Sequence, residues 1–281
     1  MRKKLIIGVL IILLGSGVGY YANHAYHYVS TNNASIEAKT TLLSSRVAGT
    51  IETVLVEENQ LVKAGQVLAT LRPVSYRNAL NESKGDYESL AVQQHNAEVN
   101  YLRSLSLFKQ GAETQARLDA AEALFNSLTE KLKAQEAGVK QSEENMSNTQ
   151  IKAPADGRVA KKSFELGMSV NVGQPLMGFV IGDERWVVAN FKETELKGIE
   201  PGKRADITVD AIPGKVFEGI VDSISPSTGA AFSLLPPDNA VGNFTKVVQR
   251  VPVKIRLIHL SAEEVQRLQA GLSADVSVKI R

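Results

Sequence analysis

Val47-Ala-Gly-Thr-Ile51 and Val62-Lys-Ala-Gly-Gln-Val-Leu68 return later in the chain as Ala155-Asp-Gly-Arg-Val159 and Val170-Asn-Val-Gly-Gln-Pro-Leu176. Gly49 and Gly157, Ile51 and Val159, Val62 and Val170, Gly65 and Gly173, and Leu68 and Leu176 are each separated by 108 positions. Chance does not keep one spacing at so many points, so the chain carries an internal repeat. Each copy alternates apolar and polar residues, as in Ile51, Val54, Val56 and Val67, Ala69, Leu71, which reads as short β-strands. Glycines punctuate them where a positive φ or a close backbone approach is needed. One copy is too short to bury a core alone. Two copies packed face to face complete one small β-sandwich.

The residues between the copies have a different character. Val74 to Gln150 is rich in Ala, Glu, Gln, Lys and Leu and contains no Pro, a composition of helix formers. Leu80, Tyr87, Gln94, Tyr101 and Phe108 recur every seven residues, beside Ser83, Leu90, Ala97 and Ser104. After Gly111 the period resumes with Leu118, Phe125, Leu132, Val139 and Met146, beside Ala121, Leu128, Gln135 and Ser142. Sustained heptads predict a coiled coil. Antiparallel arms joined by a tight turn pair residues whose numbers share a constant sum. A sum of 229 sets Phe108 against Ala121, Ser104 against Phe125, Ala97 against Leu132 and Gln94 against Gln135, so that large residues meet small ones. It places the turn near residues 114 and 115.

From about Arg185 the β patterning returns in Trp186–Phe191, Ala205–Val209, Phe217–Val221, Val251–Leu257 and Ala274–Ile280. Turns such as Glu200-Pro-Gly-Lys separate these runs, which together predict a small antiparallel barrel. Ser261 and Glu264 stand at capping-box spacing for a short helix. Ser225 to Asn243 is a long loop in which Phe232, Leu234 and Leu235 are apolar. Long loops of this kind in compact domains tend to be functional or mobile.

The N-terminus supplies a membrane signal. Arg2, Lys3 and Lys4 precede a run from Leu5 to Ile36 without Asp, Glu, Lys or Arg, whose apolar heart, Leu5 to Leu14, is followed by Tyr20, Tyr21, Tyr26 and Tyr28. Leading cations favour a cytoplasmic N-terminus, and aromatic rings favour the headgroup layer. A retained anchor is the reading, against a cleaved signal peptide. The 32 Lys and Arg against 30 Asp and Glu give a net charge of +2, which offers nothing to nucleic acid. With 0 Cys, disulfides, thiolate metal sites and a cysteine nucleophile are excluded. His24 and His27 could share a helix face, but interfacial aromatics explain them as well. No phosphate loop or nucleophile elbow occurs, so neither an enzyme nor a cofactor is expected. The expected fold class is mixed, elongated α+β. It comprises an N-terminal transmembrane helix (1–30), a split lipoyl-like β-sandwich (42–73 and 150–182) interrupted by a coiled-coil hairpin (74–149), and a β-barrel (183–281), with 31–41 as an open addition to the barrel.

This plan, with Ile151-Lys-Ala-Pro-Ala-Asp-Gly-Arg-Val159, Trp186-Val-Val-Ala-Asn-Phe-Lys-Glu-Thr-Glu195 and the stretch Ala231 to Val253, resembles the HlyD-like membrane fusion proteins, or periplasmic adaptors. The last two stretches are most similar to the EmrA-type multidrug adaptors. The resemblance implies a single-pass inner-membrane protein with its bulk in the periplasm. It would couple an inner-membrane transporter of the major facilitator type to a TolC-type outer-membrane channel, as a trimer or hexamer. Phe232, Leu234 and Leu235 are then expected to contact the transporter or a neighbouring subunit, or else to plug the barrel. The alternative is a membrane-tethered coiled-coil binding or signalling module. The family commonly carries an Arg, a Leu four residues on and a Ser seven further at its channel-docking tip; Arg103, Leu107 and Thr114 stand at those spacings, with Thr for Ser. The split sandwich also resembles a lipoyl domain, but the modified lysine's turn has become the hairpin, and Lys63 does not match it. The hairpin is shorter than in EmrA-type relatives.

Overall fold

In the computed structural model, which describes residues 27–228 and 248–281, the two copies of the repeat adopt the same strands. β2 (Gly49–Val54) and β3 (Leu61–Val62) of the first are matched by β6 (Gly157–Lys162) and β7 (Ser169–Val170) of the second. β4 (Val67–Leu71) corresponds to the start of the longer β8 (Pro175–Lys192). The copies do more than face each other, because they exchange strands. β2 pairs with β7, setting Gly49 opposite Val170, and β3 pairs with β6, setting Val62 opposite Gly157. Ser45 N–H donates to Gln174 O at 3.1 Å and Ala153 N–H to Gln66 O at 2.9 Å. Ile51 N–H donates to Met168 O at 2.9 Å and Val159 N–H to Gln60 O at 3.0 Å. Each bond crosses between copies, so neither copy can satisfy its backbone alone. Ile51, Leu68, Val159 and Leu176 fill the interior with at most 1% exposure, each worth about 1.5–3 kcal/mol on burial.

The hairpin leaves this sandwich after β4 and re-enters before β5 (Gln150–Lys152), which pairs with β4. Its arms are α1 (Val74–Lys109) and α2 (Gln115–Ser147). At 1.5 Å per residue α1 extends about 54 Å. The expected seams face each other, and Ala97 and Leu118 are their buried members. The register differs from expectation. Tyr101 stacks on Phe125 with centroids 5.7 Å apart, Gln94 Nε2 donates to Thr129 Oγ1 at 3.5 Å, and Gln135 Nε2 donates to Ser83 O at 3.4 Å. These partners' numbers sum to 226, 223 and 218, which scatter about a value one heptad below 229. A one-heptad slide keeps the same stripe facing inward, so periodicity alone could not exclude it. The turn fixes the register: Gly111 adopts φ +74°, so the loop centres near residue 112, not 114 and 115. The expected Gln94–Gln135 layer is absent; each glutamine finds a different partner on the opposite arm.

Among the described residues, the other compact unit comprises 27–39, 181–228 and 248–281. Its strands are β1 (Tyr28–Ser44), the second part of β8, β9 (Arg204–Val209), β10 (Val216–Ile224), β11 (Arg250–Leu257) and β12 (Ser273–Lys279). They follow the order β1-β12-β9-β10-β11-β8, and a further β1–β8 pairing closes the barrel. Val187, Ile207, Val253, Ile255, Val276 and Val278 fill it, fully buried. The short α3 (Ala262–Arg267) carries the expected capping box on Ser261. Leu268, just after it, is buried in the barrel core. β1 begins inside the stretch assigned to the anchor and absorbs 31–41. Its polar sequence, Tyr28-Val-Ser-Thr-Asn-Asn-Ala-Ser-Ile, masks a strand whose inward residues are Thr31, Ala34 and Ile36. The expected transmembrane helix lies outside the described residues. Among the described residues no helix is long and apolar enough to cross a membrane.

Candidate docking site at the hairpin tip

The tip is built by a self-sufficient helix end. Gly111 N–H donates to Phe108 O at 2.9 Å and Ala112 N–H to Leu107 O at 2.9 Å. With Gly111 left-handed, these two bonds form a Schellman motif. The carbonyls of Leu107 and Phe108 are thereby engaged within the chain. Recognition at this end therefore falls to side chains.

Arg103 and Leu107 lie one turn apart on α1, and the side chain of each is exposed. Arg103 Nη1 donates only to Asn100 Oδ1 on its own helix, at 3.4 Å, which leaves most of its planar fork of donors to solvent. Thr114 is the N-cap residue of α2 with extended backbone, but its hydroxyl makes no capping hydrogen bond. A Thr kept only to start a helix would be expected to use that hydroxyl. The three expected residues thus flank one turn without bonding one another.

Two residues not expected at the docking surface complete the tip. Glu113 has only 11% of its side chain exposed; it accepts from Ser104 Oγ on α1 and pairs with Arg117 Nη1 on α2, both at 3.4 Å. It braces the two arms across the turn. A lone loop carboxylate gives no periodic signal, although its place beside the seam residue Ser104 could have been inferred from the correct register. Phe108, expected to pack on Ala121, is 36% exposed, as is Leu107. After the slide its level falls in the turn, where no seam residue remains to cover it, so two apolar side chains stand partly open next to Arg103.

Phe232, Leu234 and Leu235, the expected transporter or subunit contact, lie outside the described residues. Among the described residues no group of His, Cys, Asp or Glu could hold a metal ion.

Residues 39–182 match the family model of the RND MFP barrel-sandwich hybrid domain, and residues 185–279 match that of the AAEA-like beta-barrel domain. The multidrug export protein EmrA of Haemophilus influenzae is 30% identical over an alignment of 329 positions, covering 99% of this chain and 84% of that protein. The fatty acid resistance protein FarA of Neisseria gonorrhoeae is 34% identical, covering 88% of this chain and 75% of that protein. The solved structure of the membrane fusion protein Spr0693 of Streptococcus pneumoniae has the same fold, with a TM-score of 0.66 at 14% identity over 90% of this chain and 99% of that one. A duplicated sandwich split by a helical hairpin and followed by a closed barrel, matched over nearly its whole length, places the chain in the HlyD-like membrane fusion protein family of periplasmic adaptors, with EmrA-type multidrug export proteins among its relatives.

Proposed function

We infer that this chain is the periplasmic adaptor of a tripartite efflux system, held in the inner membrane by its N-terminal segment. Its partners are an inner-membrane transporter of the major facilitator type and a TolC-type outer-membrane channel. It acts as a homo-oligomer, since one hairpin cannot enclose a path and a closed ring can. It performs no chemistry itself, and the transporter supplies the energy. The observation that carries the reading is the full-length match to a multidrug export protein. The tip supports its finer part: a side-chain surface of Arg103, Leu107 and Thr114, joined by Phe108, suits docking onto another helical hairpin, with the guanidinium reaching carbonyls or carboxylates and the apolar pair filling a groove.

Arg103→Asp tests the docking assignment. The variant abolishes efflux and cross-linking to the channel, while helicity and co-purification with the transporter stay at wild-type levels. Stability moves by no more than about 0.5 kcal/mol, as is usual for an exposed position. Wild-type efflux in that variant would refute tip docking.

A further inference from the structure

The barrel end at which β1 begins is unlike the rest of the unit. Three strand ends meet there. Tyr28 opens β1 opposite Lys279 at the end of β12, and β9 starts at Arg204, next to the turn that holds Lys197 and Lys203. Lys203 Nζ donates to Ile280 O at 3.1 Å, and Ile280 N–H donates to His27 O at 2.9 Å, which ties the last residues of β12 to the first of β1. Arg204 and Lys279 line one shallow concavity with Tyr28, Asp206 and Glu218. Lys197, Arg204 and Lys279 are exposed. None of the three has a carboxylate within ion-pairing distance among the described residues. Two acids nearby are paired, Glu195 with Lys192 and Asp222 with Lys254. Glu200, Asp206 and Glu218 remain against Lys197, Lys203, Arg204 and Lys279, so the end carries an excess of one cation.

We propose that this rim, Lys197, Arg204 and Lys279 beside Tyr28, rests on an anionic phospholipid surface. The inference builds on the anchored reading given above. The sequence before β1 contains no charged residue from Leu5 onward, and two residues of fully extended chain span at most about 7 Å. Tyr28, which opens β1 at this rim, therefore follows the preceding segment by at most about 7 Å. Where that preceding segment leaves the bilayer, the rim faces the headgroups at less than a Debye length, about 8–10 Å. Each Lys or Arg so placed raises binding to an anionic surface about fivefold and each acid lowers it by as much, so the excess of one cation leaves a preference of about fivefold. Tyr28 adds an aromatic ring suited to the same layer. Bidentate pairing with phosphate favours Arg204 as the strongest of the three.

The chain has 0 Cys, so a single Glu200→Cys variant carries one fluorophore at the rim. The full chain is reconstituted into vesicles of phosphatidylcholine, alone or with phosphatidylglycerol, containing lipids with nitroxide headgroups. Quenching is expected to be severalfold stronger in the anionic vesicles and to fall with added salt. Adding Lys197→Gln, Arg204→Gln and Lys279→Gln together should remove the difference without moving the melting temperature. Equal quenching in both vesicles, or a lipid dependence that survives the triple substitution, overturns the proposal. Loss of transporter co-purification in detergent by the triple variant, with lipid-independent quenching, would assign the rim to a protein partner and likewise overturn it. Extraction with alkaline carbonate separates the two readings: a chain released from the membrane refutes the anchor and the rim with it, while a retained chain with lipid-independent quenching refutes the rim alone.

Discussion

The two copies of the repeat share their backbone and differ in what they show to solvent. Gly65 and Gly173 turn with φ +78° and +80°, and Asn59 and Gly167 occupy the same left-handed position at +66° and +81°. Lys63 N–H donates to Gln66 Oε1 at 3.1 Å, and Asn171 N–H donates to Gln174 Oε1 at 3.0 Å. On the outside the second copy exposes Leu166, Met168 and Val172 where the first has Glu58, Gln60 and Ala64. The cross-copy hydrogen bonds hold the turns and the buried positions to one pattern. The outward side chains lie off the shared core, and there the copies have diverged: Glu58 Oε1 accepts from Lys162 N–H at 2.8 Å and Gln60 Oε1 from Glu57 N–H at 2.9 Å, bonds that Leu166 and Met168 cannot make.

Three paired substitutions can break or sharpen this equivalence. The largest effect belongs to the glycines that open β2 and β6. A Cβ on Gly157 would stand 2.2 Å from Val180 O and 2.8 Å from the Phe179 ring, whereas one on Gly49 would meet Leu71 at an ordinary 3.6 Å. Gly157→Ala should cost about 3–5 kcal/mol, and Gly49→Ala under about 1 kcal/mol, by urea denaturation. Equal costs would mean that the copies are alike in packing as well as in backbone. Next come the left-handed turns: Gly167→Ala and Asn59→Ala should each cost about 1–2 kcal/mol, while Asn59→Gly should be nearly neutral. A stable Gly167→Ala variant would show that the second turn can change shape. The smallest effect is Gln66→Ala against Gln174→Ala, each losing one exposed hydrogen bond worth about 0.5–1 kcal/mol. Thermal melts that separate the pair by more than that would locate a difference the hydrogen bonding hides.

The repeat was legible because it is written in the residue types least free to vary: glycines with positive φ and the apolar positions of a shared core. The hairpin's seams were legible from their period, but the register was not, since a slide of one heptad returns the same stripe. Only the backbone of Gly111 distinguishes the two. β1 was obscured because its first residues adjoin an uncharged apolar run and its inward positions include Thr31, whose hydroxyl donates to Asn190 O. At the tip, family spacing pointed to Arg103, Leu107 and Thr114, while Glu113 and Phe108 depend on which residues the turn brings level. That is a tertiary fact, and a linear motif does not carry it.

The Schellman turn at Gly111 closes the hairpin from within, using only bonds among residues 107–112. Arm length is therefore a free dimension of this protein. Inserting seven residues into each arm at the same level keeps the seam facing inward, leaves the turn and the sandwich untouched, and adds about 10.5 Å. The 329-position alignment with the Haemophilus protein is longer than this 281-residue chain, so the relative carries residues that have no counterpart here. A hairpin that ends in its own cap can be lengthened or shortened by evolution like a telescope, in steps of one heptad, to suit whatever gap it has to span.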